Sequence, residues 1–218
     1  MGIDAHTITD DLDVSTLRPT QDHVLVRVFE KDRTSGGLHL ARNANATTCM
    51  IGEIVSLGPG IWDDVLARYR PWDLRTGDLV LGMNYSGERM EAVDAPKYRI
   101  IRSHGLWAKV ELKSRESLEV ADLQPRMQCV LVEPQDETMW KGIYLANGLS
   151  ESSNRRGRVV ATGPGPWREG TDHRDPVAVS PGQQVAFMRA AGAEVEVNGK
   201  WLRIMVEEDI RGILEGME

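Results

Sequence analysis

Gly52-Glu53-Ile54-Val55-Ser56-Leu57-Gly58-Pro59-Gly60 returns 105 residues later as Gly157-Arg158-Val159-Val160-Ala161-Thr162-Gly163-Pro164-Gly165, with five of nine positions identical. Outward from this stretch, Leu17-Arg18-Pro19 and Val24-Leu25-Val26 return as Leu123-Gln124-Pro125 and Val130-Leu131-Val132, at an offset of 106. Gly37-Leu38-His39-Leu40-Ala41 returns as Gly142-Ile143-Tyr144-Leu145-Ala146, Gly77 as Gly182, Gly87 as Gly192, and Arg99-Ile100 as Arg203-Ile204. Anchors that keep one order while the offset drifts by only two residues describe a duplication. A period near 105 is too long for a solenoid repeat of about 20–50 residues. It is the size of a small domain, so the 218 residues read as two copies of one fold.

Within each copy the segments read as strands. His23–Phe29 alternates, with Val24, Val26 and Val28 on one face, and Ile51–Leu57, Leu79–Met83 and Tyr98–Arg102 follow between turn-forming residues. The second copy offers Cys129–Glu133, Arg158–Thr162, Gln184–Met188 and Trp201–Val206. Val195-Glu196-Val197 before Asn198-Gly199 predicts a hairpin, because Asn-Gly supplies the positive φ of a tight two-residue turn. Many short strands with little helical periodicity predict an all-β chain, a barrel or sandwich per copy. The Gly58-Pro59-Gly60 and Gly163-Pro164-Gly165 segments read as turns, since Pro lacks the backbone donor a phosphate cradle would use.

Between the first and second strand of each copy the pattern fails. Residues 30–50 and 134–156 are mostly small and polar, each with one apolar knot, Leu38-His39-Leu40 and Ile143-Tyr144-Leu145. Structureless loops longer than about 12–15 residues usually serve function or are disordered. Two readings fit: a mobile arm that hands its apolar residues to a partner's groove, or a short extra strand in the arm's own barrel. The chain then divides into an acidic flexible tail (1–15), a first barrel (16–112), a segment (113–121) that reads equally as a helical turn or a linker, and a second barrel (122–218).

Composition removes other classes. The net charge is −7, with a net −4 in residues 1–15 and a near-balanced first copy, so nothing recommends nucleic acid, whose phosphates require a basic excess. Apolar runs reach four residues, far from the roughly 20 that span a bilayer as a helix, and no membrane partner is expected. Cys49 and Cys129 stand alone in different halves and read as small hydrophobes. The five histidines form no HxxxH or Cys-flanked pattern, so no metal is expected. No nucleophile elbow, zinc-protease or dinucleotide motif is present, and no catalytic residue is assigned.

Leu17-Arg18-Pro19-Thr20-Gln21-Asp22-His23-Val24-Leu25-Val26-Arg27, followed after eight residues by Gly36-Gly37-Leu38-His39-Leu40, resembles the opening signature of the GroES family, small co-chaperonins that cap chaperonin rings. Gly52, Gly58, Gly60 and Gly77-Asp78 extend the resemblance, which covers both copies from Leu17 onward. His23, Cys129, His39, Lys141 and Gln183 depart from the family pattern, and the second copy is the more worn. Two copies in one chain resemble the tandem co-chaperonins.

The resemblance implies two irregular β-barrels, mobile loops at 30–50 and 134–156, and roof hairpins at 61–75 and 166–180. Gly37, Leu38, His39, Leu40, Gly142, Ile143, Tyr144 and Leu145 would then dock on the apical domains of a GroEL-type ring. The chain would need no cofactor of its own, acting with the ATP-bound chaperonin, and would form a homo-oligomeric ring over encapsulated unfolded protein. Two barrels per chain do not divide into the family's seven-fold ring. The implied compartment is cytoplasmic, in a bacterium or phage-infected host, with an organelle also fitting. The competing reading is a tandem structural or assembly module that has lost its chaperonin. An alcohol-dehydrogenase-like enzyme, which carries a GroES-like domain, lacks support because no dinucleotide fold is present.

Overall fold

The computed structural model describes residues 16–29, 38–40, 49–83, 86–90, 97–111, 119–135, 139–140, 143–144, 154–188 and 190–215. The acidic head, most of both long loops and residues 112–118 of the joining segment lie outside the described residues. The first copy contributes β1 (His23–Val28), β2 (Leu38–Leu40), β3 (Cys49–Leu57), β4 (Trp62–Asp63), β5 (Arg68–Tyr69), β6 (Leu79–Met83), β7 (Glu88–Met90), β8 (Tyr98–Arg102) and β9 (Leu106–Val110). The second contributes β10 (Leu123–Pro125), β11 (Cys129–Gln135), β12 (Met139–Trp140), β13 (Ile143–Tyr144), β14 (Asn154–Thr162), β15 (Gln184–Met188), β16 (Ala193–Val197), β17 (Lys200–Val206) and β18 (Ile210–Leu214).

Two antiparallel sheets of like topology result, ordered β10-β9-β6-β3-β1-β8-β7 and β18-β15-β14-β11-β17-β16-β2. Six strands of each sheet are its own copy's. The seventh is exchanged: β10 of the second copy pairs with β9 of the first, Leu123 opposite Val110, and β2 of the first copy pairs with β16 of the second. The anticipated strands all form, several extended by a few residues, and Asn198 (φ 49°) and Gly199 (φ 79°) make the β16–β17 turn. The equivalent strands β9 and β18 went unforeseen, because Leu106-Trp107-Ala108 carries no alternation.

The repeated glycines are required by close approach. A Cβ on Gly52 would lie 2.3 Å from Val26 Cγ1 and 2.7 Å from the Arg27 carbonyl oxygen, and one on Gly157 would lie 2.6 Å from the Glu133 carbonyl oxygen. Both sit beside a register shift in the β1–β3 or β11–β14 pairing, where a bulge bends the strand. Each barrel then encloses its own core. Val24, Val26, Ile54, Leu74 and Val80 are buried in the first, and their counterparts Val130, Val132, Val159, Val179 and Val185 in the second. Where the second core holds Phe187, the first has Gly82, and Met50 Cε lies 3.2 Å from the position of the missing Cβ. The methionine fills the volume the aromatic ring occupies in the sister barrel.

A third cluster lies between the barrels. Cys49, Ile51, Leu81, Trp107, Ala108 and Val110 of the first barrel meet Leu123, Cys129, Leu131, Val195, Val197, Leu202 and Ile204 of the second. This explains why Leu131, on the opposite strand face from the barrel-core valines, is also 0% exposed. Trp107, only 6% exposed, anchors the apolar face of the first barrel. The two barrels therefore share a core as dry as either interior.

Candidate functional site

The first loop's knot is a strand. Leu38, His39 and Leu40 stand opposite Val197, Glu196 and Val195 of β16, so the sheet that receives them belongs to the other barrel. The expectation of an extra strand in the arm's own barrel is thereby corrected: both stems of the first loop, Phe29 and Cys49, sit on the inter-barrel cluster, to which β16 contributes Ala193, Val195 and Val197. In the second loop Ile143 and Tyr144 pair with Trp140 and Met139 in a separate two-stranded ribbon. Gly37, Gly142 and Leu145 lie outside the described residues. The two knots thus occupy different sheets and are not brought together.

Segments 61–75 and 166–180, where the resemblance implies roof hairpins, meet across the two barrels. Trp62 and Tyr69 pair across β4–β5, with ring centroids 5.0 Å apart, and both are exposed. Their counterparts Trp167 and Arg174 form an isolated bridge, with the guanidinium 4.1 Å from the Trp167 ring centre. Behind the tryptophan, buried Arg70 pairs with Asp63 and donates to the carbonyl oxygens of Arg168 (2.8 Å) and Thr171 in the second roof. Gly170 N–H donates to Asp63 Oδ2 at 3.2 Å. The Leu66 N–H, 2.8 Å from Asp63 Oδ1, is the main influence holding that carboxyl below the usual range; the Gly170 N–H and Arg70 add to it, against burial.

A second buried guanidinium pins the seam below the roof. Arg126, 3% exposed, donates to Asp73 Oδ1 (2.7 Å) and to the carbonyl oxygens of Leu106 (2.7 Å) and Ser103 (3.2 Å), all in the first barrel. A planar fork that satisfies a carboxylate and two carbonyls is what makes a buried arginine tolerable. These residues escaped the sequence reading. Their signal is visible only once the repeat is aligned: Asp63 and Arg70 stand where the second copy has Arg168 and Asp175, the same ion pair with its charges reversed. Thr20 occupies the place of Arg126.

Burial pushes both thiols up to about 12, which keeps them protonated at neutral pH. No group of three or more His, Cys, Asp or Glu among the described residues is placed to hold a metal ion. Among the described residues no helix is long and apolar enough to cross a membrane. What the geometry offers is strand edges, apolar knots and a polar latch between two barrels.

The family described as chaperonin 10 Kd subunit matches residues 16–110 and again 122–214. The chain belongs to that family. A 20 kDa chaperonin of spinach (Spinacia oleracea), described as chloroplastic, is 27% identical over 205 residues, 92% of this chain and 76% of that protein. The co-chaperonin GroES of Rhodothermus marinus is 36% identical over 83 residues, 38% of this chain and 80% of its own. That of Hahella chejuensis is 35% identical over 95 residues, 43% of this chain and 98% of its own. The protein is therefore a tandem co-chaperonin with two GroES-like β domains, and its family is not one of catalytic enzymes.

Proposed function

We propose that the chain caps an ATP-charged chaperonin ring of the GroEL type, docking Leu38-His39-Leu40 and Ile143-Tyr144-Leu145 on apical domains while unfolded protein folds in the enclosed chamber. The observation that carries this reading is the match of both halves to one co-chaperonin family along nearly their whole length. Burying one leucine or isoleucine side chain is worth about 1.5–3 kcal/mol, offset by the ordering of its loop. Each arm alone is weak. Several arms on one oligomer make later contacts intramolecular, which yields capping that is strong yet reversible.

The repeat supports a ring. β18 is the counterpart of β9, and Leu17-Arg18-Pro19 is the counterpart of β10. The β9–β10 pairing inside the chain can therefore recur between chains, β18 receiving Leu17–Pro19 of the next copy. Such head-to-tail contacts close into a ring when the rotation permits. The compartment is that of the chaperonin being capped.

Leu38→Ala combined with Leu40→Ala is expected to abolish chaperonin-dependent refolding of a test substrate while the far-ultraviolet dichroism stays unchanged. Full refolding activity in that variant would remove the first triplet from the docking role. If the wild-type chain fails to co-purify with any chaperonin ring in ATP or ADP, the capping reading falls. A tandem assembly module without a chaperonin would then stand, a reading that the worn second knot favours.

A further inference from the structure

A sheet edge presents unpaired backbone donors and acceptors, and proteins usually blunt, cover or pair it. The two barrels differ here. In the first sheet β7 is the last strand, and among the described residues none pairs with its outer side. In the second sheet the corresponding strand β16 is covered by β2, whose three residues come from the first barrel's long loop. The cover is local to the seam. Val195 and Val197 of β16 point into the inter-barrel cluster, which also holds Cys49 at the loop's return and packs against Phe29 at its exit. The loop leaves and re-enters its own barrel beside the edge on which its middle lies.

We propose that the antiparallel pairing of the chain's own Leu38-His39-Leu40 with the outer edge of β16 holds the first arm in reserve in the free protein. This deepens the capping reading and rests on it in one respect: the segment docked in cis is the one proposed to reach the chaperonin, so pairing and capping exclude one another. Strand addition draws its affinity from main-chain hydrogen bonds and its register from alternate side chains, and three residue pairs make a contact short enough to open. A free chain that is docked about nine times in ten would bind a ring about tenfold more weakly than one with the segment released. The first arm is thus held back on the other barrel's sheet, whereas among the described residues Ile143 and Tyr144 of the second pair within their own loop, which gives the two arms of one chain different readiness.

A directly opposed pair reads this out. Residues facing one another across antiparallel strands have Cα atoms about 4.5–5.5 Å apart, within the range of about 4.4–6.8 Å that a disulfide spans. The double variant His39→Cys, Glu196→Cys is expected to form an intrachain disulfide under mild oxidation of the dilute protein, mapped by mass spectrometry. His39→Cys with Glu88→Cys on β7 is expected not to. Native Cys49 and Cys129 are buried and do not compete. Failure of the first pair to crosslink, or preferential crosslinking to β7, would overturn the docking surface. The oxidised protein is further expected to bind a chaperonin ring in ATP at least tenfold more weakly than the same protein after reduction, and equal binding would overturn the exclusion. If neither form nor the wild type binds a ring, the capping reading fails, while the crosslink still decides the docking.

Discussion

Asp63 and Arg70 illustrate how one buried pair serves two barrels. The guanidinium holds its own turn's carboxylate and two carbonyl oxygens of the other roof, and the carboxylate accepts a backbone N–H from each roof. Because the carboxyl titrates below its ordinary value of about 3.9, its contribution is present above that value and is lost as pH falls through the folded one. Protonation then leaves Arg70 buried beside a neutral acid. Acid titration of the unfolding free energy is expected to fall below about pH 4, and Asp63→Asn is expected to be less stable above that pH but flatter through it. Parallel curves for the two proteins would show that this carboxylate does not set the acid response. Neither residue was legible as a site, since a lone Asp or Arg in a predicted turn is ordinarily solvated. Only the charge-reversed counterpart, Arg168 with Asp175, marks the position.

At the scale of elements, the exchanged strands distinguish this molecule from two barrels on a string. β10 belongs to the second copy by sequence and to the first sheet by hydrogen bonding. Its Leu123 is buried in the shared cluster, and Arg126 just beyond it anchors to the first barrel. The joining segment is therefore not what holds the barrels together. With a protease site introduced into residues 112–118 and cut to completion, the two halves are expected to co-elute on size exclusion in native buffer and to separate only in denaturant. Separation in native buffer would assign the cohesion to the covalent link. The strand at His23–Phe29 was readable because a strand that buries a face repeats every second residue, and those at Leu79–Met83 and Gln184–Met188 because turn-forming residues bound them. The pairing of Leu38–Leu40 with β16 was not, because a three-residue apolar knot carries no information about which sheet edge it meets.

For the whole molecule, the repeat makes the two faces of the chain comparable. The face that meets the second barrel carries Cys49, Ile51, Leu81, Trp107, Ala108 and Val110. The positions in the second barrel that correspond along the repeat are Asn154, Arg156, Ala186, Arg211, Gly212 and Leu214. Thr20 replaces the Arg126 anchor, and Ala178 replaces its partner Asp73. The seam inside the chain is apolar and latched, and the seam between chains would be polar. Polar contacts at an exposed seam are screened by salt over about 10 Å at 0.1 M, whereas a dry apolar one is not. Native mass spectrometry is expected to show oligomers of whole chains that dissociate toward single chains as ammonium acetate rises to about 0.5 M. Oligomers insensitive to salt would contradict the polar seam.

The duplication, the all-β class and the position of both apolar knots were settled by the amino-acid sequence, because close-approach glycines such as Gly52 and Gly157 and the period of a buried strand face are local demands. So was the family, since the motifs that carry it are contiguous. Tertiary structure alone decided that the barrels share a core through Trp107 and Leu131, that Arg126 and Arg70 latch them, and that Leu38-His39-Leu40 lies on the other barrel's edge. Those facts depend on which surfaces exclude water together, and that is a property of residues brought close by folding from positions about a hundred apart along the chain.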